Sequence, residues 1–242
     1  MSSSIFKRNI QREVLKSVYL QAEKEILISL PPEYKPDQLY PILLLHDGRD
    51  YFQMGRLITQ TNQLLAQNEI HPVIMVALPI QKEQRNQEYS PSGKTHMQHL
   101  EFVAQEVIPM IKEKYQPTAN PDQFIVAGSS LGATAALHFA LTYPELCSRV
   151  LAQSGAFLET TIEQIHLSRD LSHLEIYQSV GLSETAVPTH FGHLDLVTRN
   201  REVYEALTQK EAQVMYIERE GDHTWGLWQI DLPHALRAFF GT

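Results

Sequence analysis

The first hydrophobic and polar positions of the chain alternate in the manner of β-strands. Two partly alternating runs, Glu13–Leu20 and Lys24–Leu30, are separated by a short polar turn, and Pro31 ends the second run. Because successive strand side chains point to opposite faces, this pattern predicts a pair of neighbouring strands. The next apolar run, Tyr40–His46, is nearly continuous, which is typical of a strand buried on both faces.

From there to the C-terminus, strand-like apolar runs alternate with longer segments of helical periodicity. This alternation predicts βαβ units and a mainly parallel sheet, to which the opening pair would add an antiparallel edge. One predicted helix, Thr95–Tyr115, contains Pro109, which can kink a helix because proline lacks an N–H group. The other predicted strands are Pro72–Leu78, Gln123–Ala127, Arg149–Gln153, Leu174–Gly181 and Val214–Glu218, and the other predicted helices are Met54–Gln67, Leu131–Leu141, Leu196–Lys210 and Leu232–Phe240.

The length and composition of the chain favour one globular domain over residues 1–242, in which residues 1–11 are a candidate flexible N-terminus. A formal net charge of −8 disfavours nucleic acid and anionic membranes as partners, since both attract basic proteins. The single cysteine, Cys147, cannot form an internal disulfide. The chain shows neither a secretory signal nor an apolar stretch near the roughly 18 residues of a membrane span. We therefore expect a cytoplasmic protein.

One short motif, Gly128-Ser129-Ser130-Leu131-Gly132, matches the pattern G-x-S-x-G. This pattern places a serine on a sharp turn between a strand and a helix, and glycines without Cβ atoms let the two elements approach closely. The apolar run before the motif predicts a strand and the alanine-rich run after it predicts a helix, which is the context that the motif requires. We therefore interpret Ser130 as a candidate nucleophile rather than as part of a structural turn.

A serine nucleophile needs a base, and with this motif the partners follow along the chain in the order serine, acid, histidine. His223 follows the last predicted strand and is the candidate base. The acid should follow the preceding strand, where two carboxylates are available. Glu184 lies directly at the strand end and is preferred, while Asp195 precedes a helix and is otherwise explained as its N-cap.

Two further functions require residues near the candidate nucleophile. Backbone N–H groups must stabilise the negative charge that develops on the substrate oxygen, and the candidate donors are those of Leu131 and Arg49. Arg85 lies in a predicted polar loop, Gln81–Lys94, at the carboxyl edge of the sheet, where ligands bind. It is a candidate for binding an anionic group of a substrate, or else it pairs with Glu88 within the loop.

The eleven histidines raise the question of a metal site. A spacing of three relates His96 to His99 and His190 to His193, yet no H-E-x-x-H motif and no cysteine pair accompanies them. We expect neither a metal nor a cofactor, since dinucleotide- and phosphate-binding glycine patterns are also missing. We interpret all four histidines as surface residues. For His190 and His193, the alternative is that they line a pocket.

Several segments, taken in order, resemble a known family. They are Leu30–Tyr34, Tyr40–Gly48, Arg85–Tyr89, Gly128–Gly132, Val180–Glu184, Asn200–Leu207, and Gly221–Trp225 with Trp228. The chain is similar over nearly its whole length to the "Putative esterase" family of α/β-hydrolases, in the branch that includes enterochelin (ferric-siderophore) esterases. It resembles feruloyl esterases and mycolyltransferases more distantly.

The resemblance implies an α/β-hydrolase with a mainly parallel central sheet, an antiparallel N-terminal edge and helices on both faces. It also implies hydrolysis of a small-molecule ester, with siderophore esters among the candidates, through an acyl-enzyme on Ser130. Two interpretations compete with this one: an acyltransferase that uses the same residues, and a binding protein that keeps the fold without activity. The chain departs from the family pattern at Asp222 and His46. The segment Thr185–Leu194 is also long for its place, which keeps Asp195 open as the acid.

Overall fold

The structure is a computed structural model that describes residues 9–115, 117, 118 and 120–242. Residues 1–8 of the candidate flexible N-terminus lie outside the described residues, whereas Ile10 and Gln11 already belong to the first strand. The strands are β1 (Ile10–Ser17), β2 (Ala22–Ser29), β3 (Ile42–His46), β4 (Ile74–Leu78), β5 (Phe124–Ser129), β6 (Arg149–Gln153), β7 (Glu175–Gly181), β8 (Val187–Thr189), β9 (Gly192–Leu194) and β10 (Gln213–Arg219).

The helices fill the intervals between the strands, mostly as the periodicity predicts. They are α1 (Gly48–Gln53), α2 (Leu57–Ala66), α3 (Lys82–Tyr89), α4 (His96–Phe102), α5 (Ile108–Tyr115), α6 (Leu131–Thr142), α7 (Glu159–Leu167), α8 (Leu196–Gln209) and α9 (Trp225–Phe240), with a π-helical segment at Val103–Val107 and a 3₁₀ turn at Pro121–Gln123. None of the described helices is both long and apolar enough to cross a lipid bilayer.

The central sheet of the described chain has eight strands in the order β1-β2-β4-β3-β5-β6-β7-β10. Strand β2 pairs antiparallel with both β1 and β4, whereas the remaining pairs are parallel. This arrangement confirms the predicted mainly parallel sheet with an antiparallel N-terminal edge. It also explains why the inner strands read as continuous apolar runs, since both of their faces are covered.

Helices cover the sheet on both sides, as the resemblance implies. Along β3, Leu43 and Leu45 face a core shared with α1, α2 and α9, while Ile42 and Leu44 face a larger core shared with α4 to α8. The two-residue period of the strand thus divides one apolar run between two cores. The fold is that of an α/β-hydrolase.

The strand register brings several carboxyl ends to one edge of the sheet. Ser129 at the end of β5 lies opposite Gln153 of β6, which in turn lies opposite Ser179 of β7. Gly181 ends β7 opposite Arg219 of β10. The residues that follow β5, β6, β7 and β10 are therefore neighbours in space, although the chain separates them widely.

Two predicted helices are interrupted or displaced. The helix predicted over Met54–Gln67 begins only at Leu57, because Arg56 adopts a left-handed conformation with a φ of 50°. The helix predicted over Thr95–Tyr115 widens into its π-helical segment just before Pro109. Since Pro109 has no N–H to donate, a local change of hydrogen-bond spacing is the expected response of the helix.

Other elements differ from the sequence prediction more strongly. The predicted loop Gln81–Lys94 contains α3, whose polar residues show no apolar stripe that could reveal a helix. The last helix begins at Trp225 rather than at Leu232 and contains Pro233 in its interior. Helix α7 and the short β8–β9 hairpin were not predicted. The hairpin accounts for the unusual length of the segment Thr185–Leu194.

Candidate active site

Ser130 lies on a strained turn between β5 and α6. Its backbone has a φ of 55° and a ψ of −125°, a conformation that residues other than glycine rarely adopt. A Cβ atom on Gly128 would lie 2.2 Å from the backbone of Gly132, so the turn closes only with glycine at this position. The backbone of Ser130 is held on both sides, because its N–H donates to Gln153 O at 2.9 Å and its C=O accepts from Ala156 N at 3.0 Å.

His223 reaches Ser130 from the loop between β10 and α9. Its Nε2 atom lies 2.9 Å from Ser130 Oγ, and its Nδ1 atom lies 2.6 Å from Oε2 of Glu184. The side chain of His223 is 19% exposed, whereas that of Glu184 is fully buried. The structure therefore brings together Ser130, His223 and Glu184, in the order in which a nucleophile, a base and an acid would act.

The other candidate acid, Asp195, lies elsewhere. Its side chain accepts from the backbone N–H of Thr198 at 3.0 Å and from the Thr198 hydroxyl at 2.8 Å, which caps the N-terminus of α8. The hydrogen bond from the Thr198 backbone lowers the pKa of Asp195. Asp195 makes no hydrogen bond to His223 within the described part of the chain, whereas Glu184 does.

The candidate oxyanion donors both lie in the first turn of a helix. Leu131 begins α6 directly after Ser130, and Arg49 is the second residue of α1. First-turn N–H groups have no acceptor within their own helix, so they are available to a negatively charged oxygen. The side chain of Arg49 points away to an ion pair with Glu25 at the antiparallel edge, which leaves only its backbone as a candidate donor.

Arg85 is held by Asp47, so the alternative in which it pairs with Glu88 is wrong. The Nε and Nη2 atoms of Arg85 donate to the two carboxylate oxygens of Asp47 at 2.8 and 2.7 Å. Glu88 instead binds Lys24 at 2.7 Å and His99 at 3.0 Å. Arg85 and Glu88 are both in α3, and each pairs with a residue of another element rather than with the other.

A cavity of about 400 Å³ opens beside Ser130. Its walls come from α3, from the start of α6 and from the β8–β9 hairpin, whose tip carries His190 and Phe191. Phe191 is 46% exposed. The lining residues are Arg85, Asn86, Ser130, Leu131, Ala156, Pro188, Thr189, His190, Phe191 and His223.

The prediction that His96 and His99 are surface residues is wrong. Both are buried, and His99 Nε2 lies 3.1 Å from Nε2 of His46. Burial lowers the pKa of all three imidazoles. Both histidines lie on the buried face of α4, whereas His190 lines the cavity beside Ser130. Over the ranges that the structure describes, no three histidine, cysteine or carboxylate side chains converge as a metal site requires.

Sequence reasoning missed two residues in the series of hydrogen bonds that leads to Glu184. The hydroxyl of Ser154, in the turn after β6, donates to Glu184 Oε1 at 2.6 Å. The indole N–H of Trp228, in α9, donates to Ser154 Oγ at 2.8 Å. The only available signal is their position, since Ser154 follows a predicted strand at the same sheet edge as Ser130.

Comparison with known proteins places the chain in a family. A family model described as "Putative esterase" matches residues 17–239, which is most of the chain. The chain belongs to this family. Membership supports hydrolysis of esters as the general activity. A relative from Bacillus subtilis (strain 168), named "Uncharacterized protein YjcH", is 33% identical over 231 residues, which cover 94% of this chain and 96% of the relative.

Solved structures of esterases share the fold. A ferulic acid esterase superposes with a TM-score of 0.81 at 19% identity, over 97% of this chain and 98% of the other. The enterobactin esterase from Shigella flexneri, solved with 2,3-di-hydroxy-N-benzoyl-glycine, superposes with a TM-score of 0.80 at 21% identity. That match covers 95% of this chain but 59% of the Shigella protein. These likenesses show that the chain shares the α/β-hydrolase fold of these proteins.

Proposed function

We propose that this member of the family is a serine carboxylic-ester hydrolase that works through Ser130, His223 and Glu184. The observation that carries the proposal is the continuous series of hydrogen bonds from Glu184 through His223 to the Ser130 hydroxyl, with separations of 2.6 and 2.9 Å. Those lengths are within the reach required of a nucleophile, its base and the group that orients the base.

The proposed reaction begins with transfer of the Ser130 proton. As Ser130 Oγ attacks the ester carbonyl carbon, His223 Nε2 accepts that proton and becomes an imidazolium. Glu184 accepts the hydrogen bond of Nδ1–H, so it fixes the tautomer in which Nε2 is free and stabilises the charge that forms. The imidazolium then donates its proton to the departing alcohol oxygen, which leaves an acyl group on Ser130.

Water completes the cycle. His223 Nε2 accepts a proton from a water molecule as that water attacks the acyl-enzyme, and it returns the proton to Ser130 Oγ when the acid product leaves. In both steps the carbonyl oxygen becomes negatively charged. The N–H groups of Leu131 and Arg49 are the proposed donors to this oxygen, aided by the positive ends of α6 and α1.

The proposed substrate is a small ester whose acyl or alcohol part enters the cavity beside Ser130. A volume of about 400 Å³ suits one small or aromatic group. Because enterobactin and ferulic acid esterases are among the structural neighbours, siderophore and feruloyl esters are the first compounds to test. Arg85 is the proposed contact for an anionic group, since its Nη1 atom has no hydrogen-bond partner among the described residues.

The role of Arg85 can be separated from its pairing with Asp47. The double variant Asp47→Asn/Arg85→Met removes the guanidinium without leaving a buried unpaired carboxylate, which would cost stability. We expect its KM to rise about tenfold for an acid-bearing ester and to stay constant for a neutral ester of the same size. Equal KM changes for both esters would remove Arg85 from substrate binding.

Hydrolysis of p-nitrophenyl esters tests the proposed activity itself. We expect Ser130→Ala and His223→Ala each to lower kcat by about a thousandfold or more in a folded protein. Retention of more than a few per cent of the activity by either variant would contradict the assignment. Product analysis in the presence of competing alcohols distinguishes hydrolysis from acyl transfer, because an acyltransferase would form the new ester in preference to the acid.

A further inference from the structure

Ser154 occupies a backbone conformation that a glycine would adopt more easily. It lies directly after β6, is completely buried, and has a φ of 48° in the left-handed region. This conformation is energetically unfavourable for a residue with a Cβ atom, so such positions are usually glycine unless the side chain is needed. Glycine is in fact the next residue, Gly155. The strain at Ser154 points to a function for its hydroxyl.

The hydrogen bonds of Ser154 have a fixed direction. The indole N–H of Trp228 can only donate, and it donates to Ser154 Oγ at 2.8 Å. The Ser154 hydroxyl therefore keeps its own proton for another acceptor. That acceptor is Oε1 of Glu184 at 2.6 Å, a length typical of a hydrogen bond to an ionised carboxylate.

The Glu184 carboxylate is thereby fixed at both of its oxygens. Oε1 accepts from the Ser154 hydroxyl and, at 2.7 Å, from the backbone N–H of Gly181. Oε2 is left for Nδ1 of His223. A rotation of the carboxylate would break these hydrogen bonds in a site without solvent to replace them, since Glu184 is fully buried.

The turn that contains Ser154 also holds the nucleophile. Ser130 donates its N–H to Gln153 O, and its C=O accepts from Ala156 N. The segment 153–156 thus contacts the backbone of Ser130 and the side chain of Glu184 within four residues. This turn, which is anchored to β7 by a hydrogen bond from Ser154 N to Ser179 O, therefore links the side chain of Glu184 to the backbone of Ser130.

We propose that Ser154, oriented by the Trp228 indole, is a positioning residue that holds Glu184 in line with His223. The inference rests on the proposed function, because it assigns to Ser154 an effect on the step in which His223 accepts the Ser130 proton. Ser154 contacts neither the cavity nor the reacting atoms. Its contribution is the orientation of the acid, and therefore of the imidazole, before the substrate binds.

The test compares Ser154→Ala with Ser154→Gly. Both variants lose the hydroxyl, but alanine keeps the strained Cβ whereas glycine removes the strain. We expect kcat for a p-nitrophenyl ester to fall in both by on the order of tenfold to a hundredfold at constant KM, with the glycine variant the more resistant to urea. Ser29→Ala is the matched control, since Ser29 is buried and its hydroxyl has no partner within the described chain.

A second measurement reports on His223 directly and does not depend on turnover. The proton on Nδ1, in a hydrogen bond of 2.6 Å to a carboxylate, should give a strongly downfield proton NMR signal, assigned by its loss in His223→Gln. We expect this signal to shift or broaden in both Ser154 variants and to stay unchanged in Ser29→Ala. Trp228→Phe, which keeps an aromatic ring against His223, should shift it less, and Trp225→Phe is the control for that change.

The results separate two kinds of failure. A kcat reduction of less than fivefold in both Ser154 variants, an effect confined to KM, or an unchanged Nδ1 signal would each overturn the positioning role. If the wild-type protein itself shows no hydrolysis that depends on Ser130, the proposed function fails. The Nδ1 signal would still decide whether Ser154 orients the Glu184–His223 pair.

Discussion

The Nδ1 atom of His223 lies 2.6 Å from Oε2 of Glu184, a carboxylate that solvent does not reach. The two residues are 39 positions apart and are brought together because β7 and β10 are neighbouring parallel strands that end at the same edge of the sheet. This geometry supports Glu184 as the proposed acid, since Asp195 lies at the N-terminus of α8 and bonds to Thr198 instead.

Replacement of each carboxylate by its amide tests this assignment. Glu184→Gln keeps the size of the side chain but presents a neutral group to Nδ1, so the imidazole loses both its charge partner and its fixed tautomer. We expect kcat to fall by roughly 10³–10⁴, the size of effect known for the equivalent change in serine proteases. Asp195→Asn should remain within about twofold of wild type, because asparagine is also a good N-cap. The opposite ranking of the two variants would make Asp195 the acid.

A matched pair of substitutions at Arg49 tests the proposed oxyanion donor. Arg49→Ala removes the side chain that pairs with Glu25 but keeps the N–H, so kcat should stay within about twofold. Arg49→Pro removes the N–H itself at a first-turn position where proline is tolerated. We expect kcat to fall about a hundredfold to a thousandfold while the protein remains folded.

The measurement is kcat for both variants, with circular dichroism to show that each is folded. If the proline variant is folded and as active as the alanine variant, the second donor is another N–H group. A loss in the alanine variant alone would instead assign a role to the guanidinium of Arg49.

The position of the candidate residues at strand ends explains how much of the site the sequence reveals. Ser130, Glu184 and His223 each follow a strand that apolar periodicity predicts, and parallel strands place their carboxyl ends together. The sheet and its antiparallel edge were predicted correctly from the same periodicity. The family was predicted correctly from the ordered segments that resemble it. The sequence left Glu184 and Asp195 as alternatives, because capping by Asp195 depends on where a helix starts.

The contacts that sequence reasoning missed depend on packing between distant elements. Arg85 meets Asp47 because α3 crosses the carboxyl edge of the sheet, and α3 itself carries no apolar periodicity. His99 is buried because Glu88, itself paired with Lys24 from β2, accepts its hydrogen bond. These ion pairs and hydrogen bonds join residues that are distant in the sequence and close only in the folded protein. The residue types alone therefore do not predict them.

The buried histidine of α6 predicts a dependence of stability on pH. His138 donates to or accepts from Thr161 Oγ1 at 2.9 Å, and burial, together with the nearby His96, lowers its pKa to about 3. Because the unfolded chain binds a proton near pH 6.5 and the folded protein does not, stability falls as the pH drops below about 6.5 and continues to fall toward pH 3.

The variant His138→Gln tests this relation, since glutamine is neutral at every pH in the range. Between pH 7.5 and pH 5.0, the free energy of unfolding of the wild type should decrease by about 2 kcal/mol more than that of the variant. Urea denaturation at both pH values provides the measurement. Parallel pH dependences of the two proteins would show that His138 is protonated in the folded state or does not affect stability.

The most direct test of the proposed activity is covalent labelling of the nucleophile. A fluorophosphonate reacts with a serine that a neighbouring histidine activates, and peptide mapping by mass spectrometry identifies the modified residue. We predict one adduct per chain, on Ser130, with labelling greatly slowed in His223→Ala and absent in Ser130→Ala. A folded protein that takes no label, or takes it at a residue other than Ser130, would contradict the account.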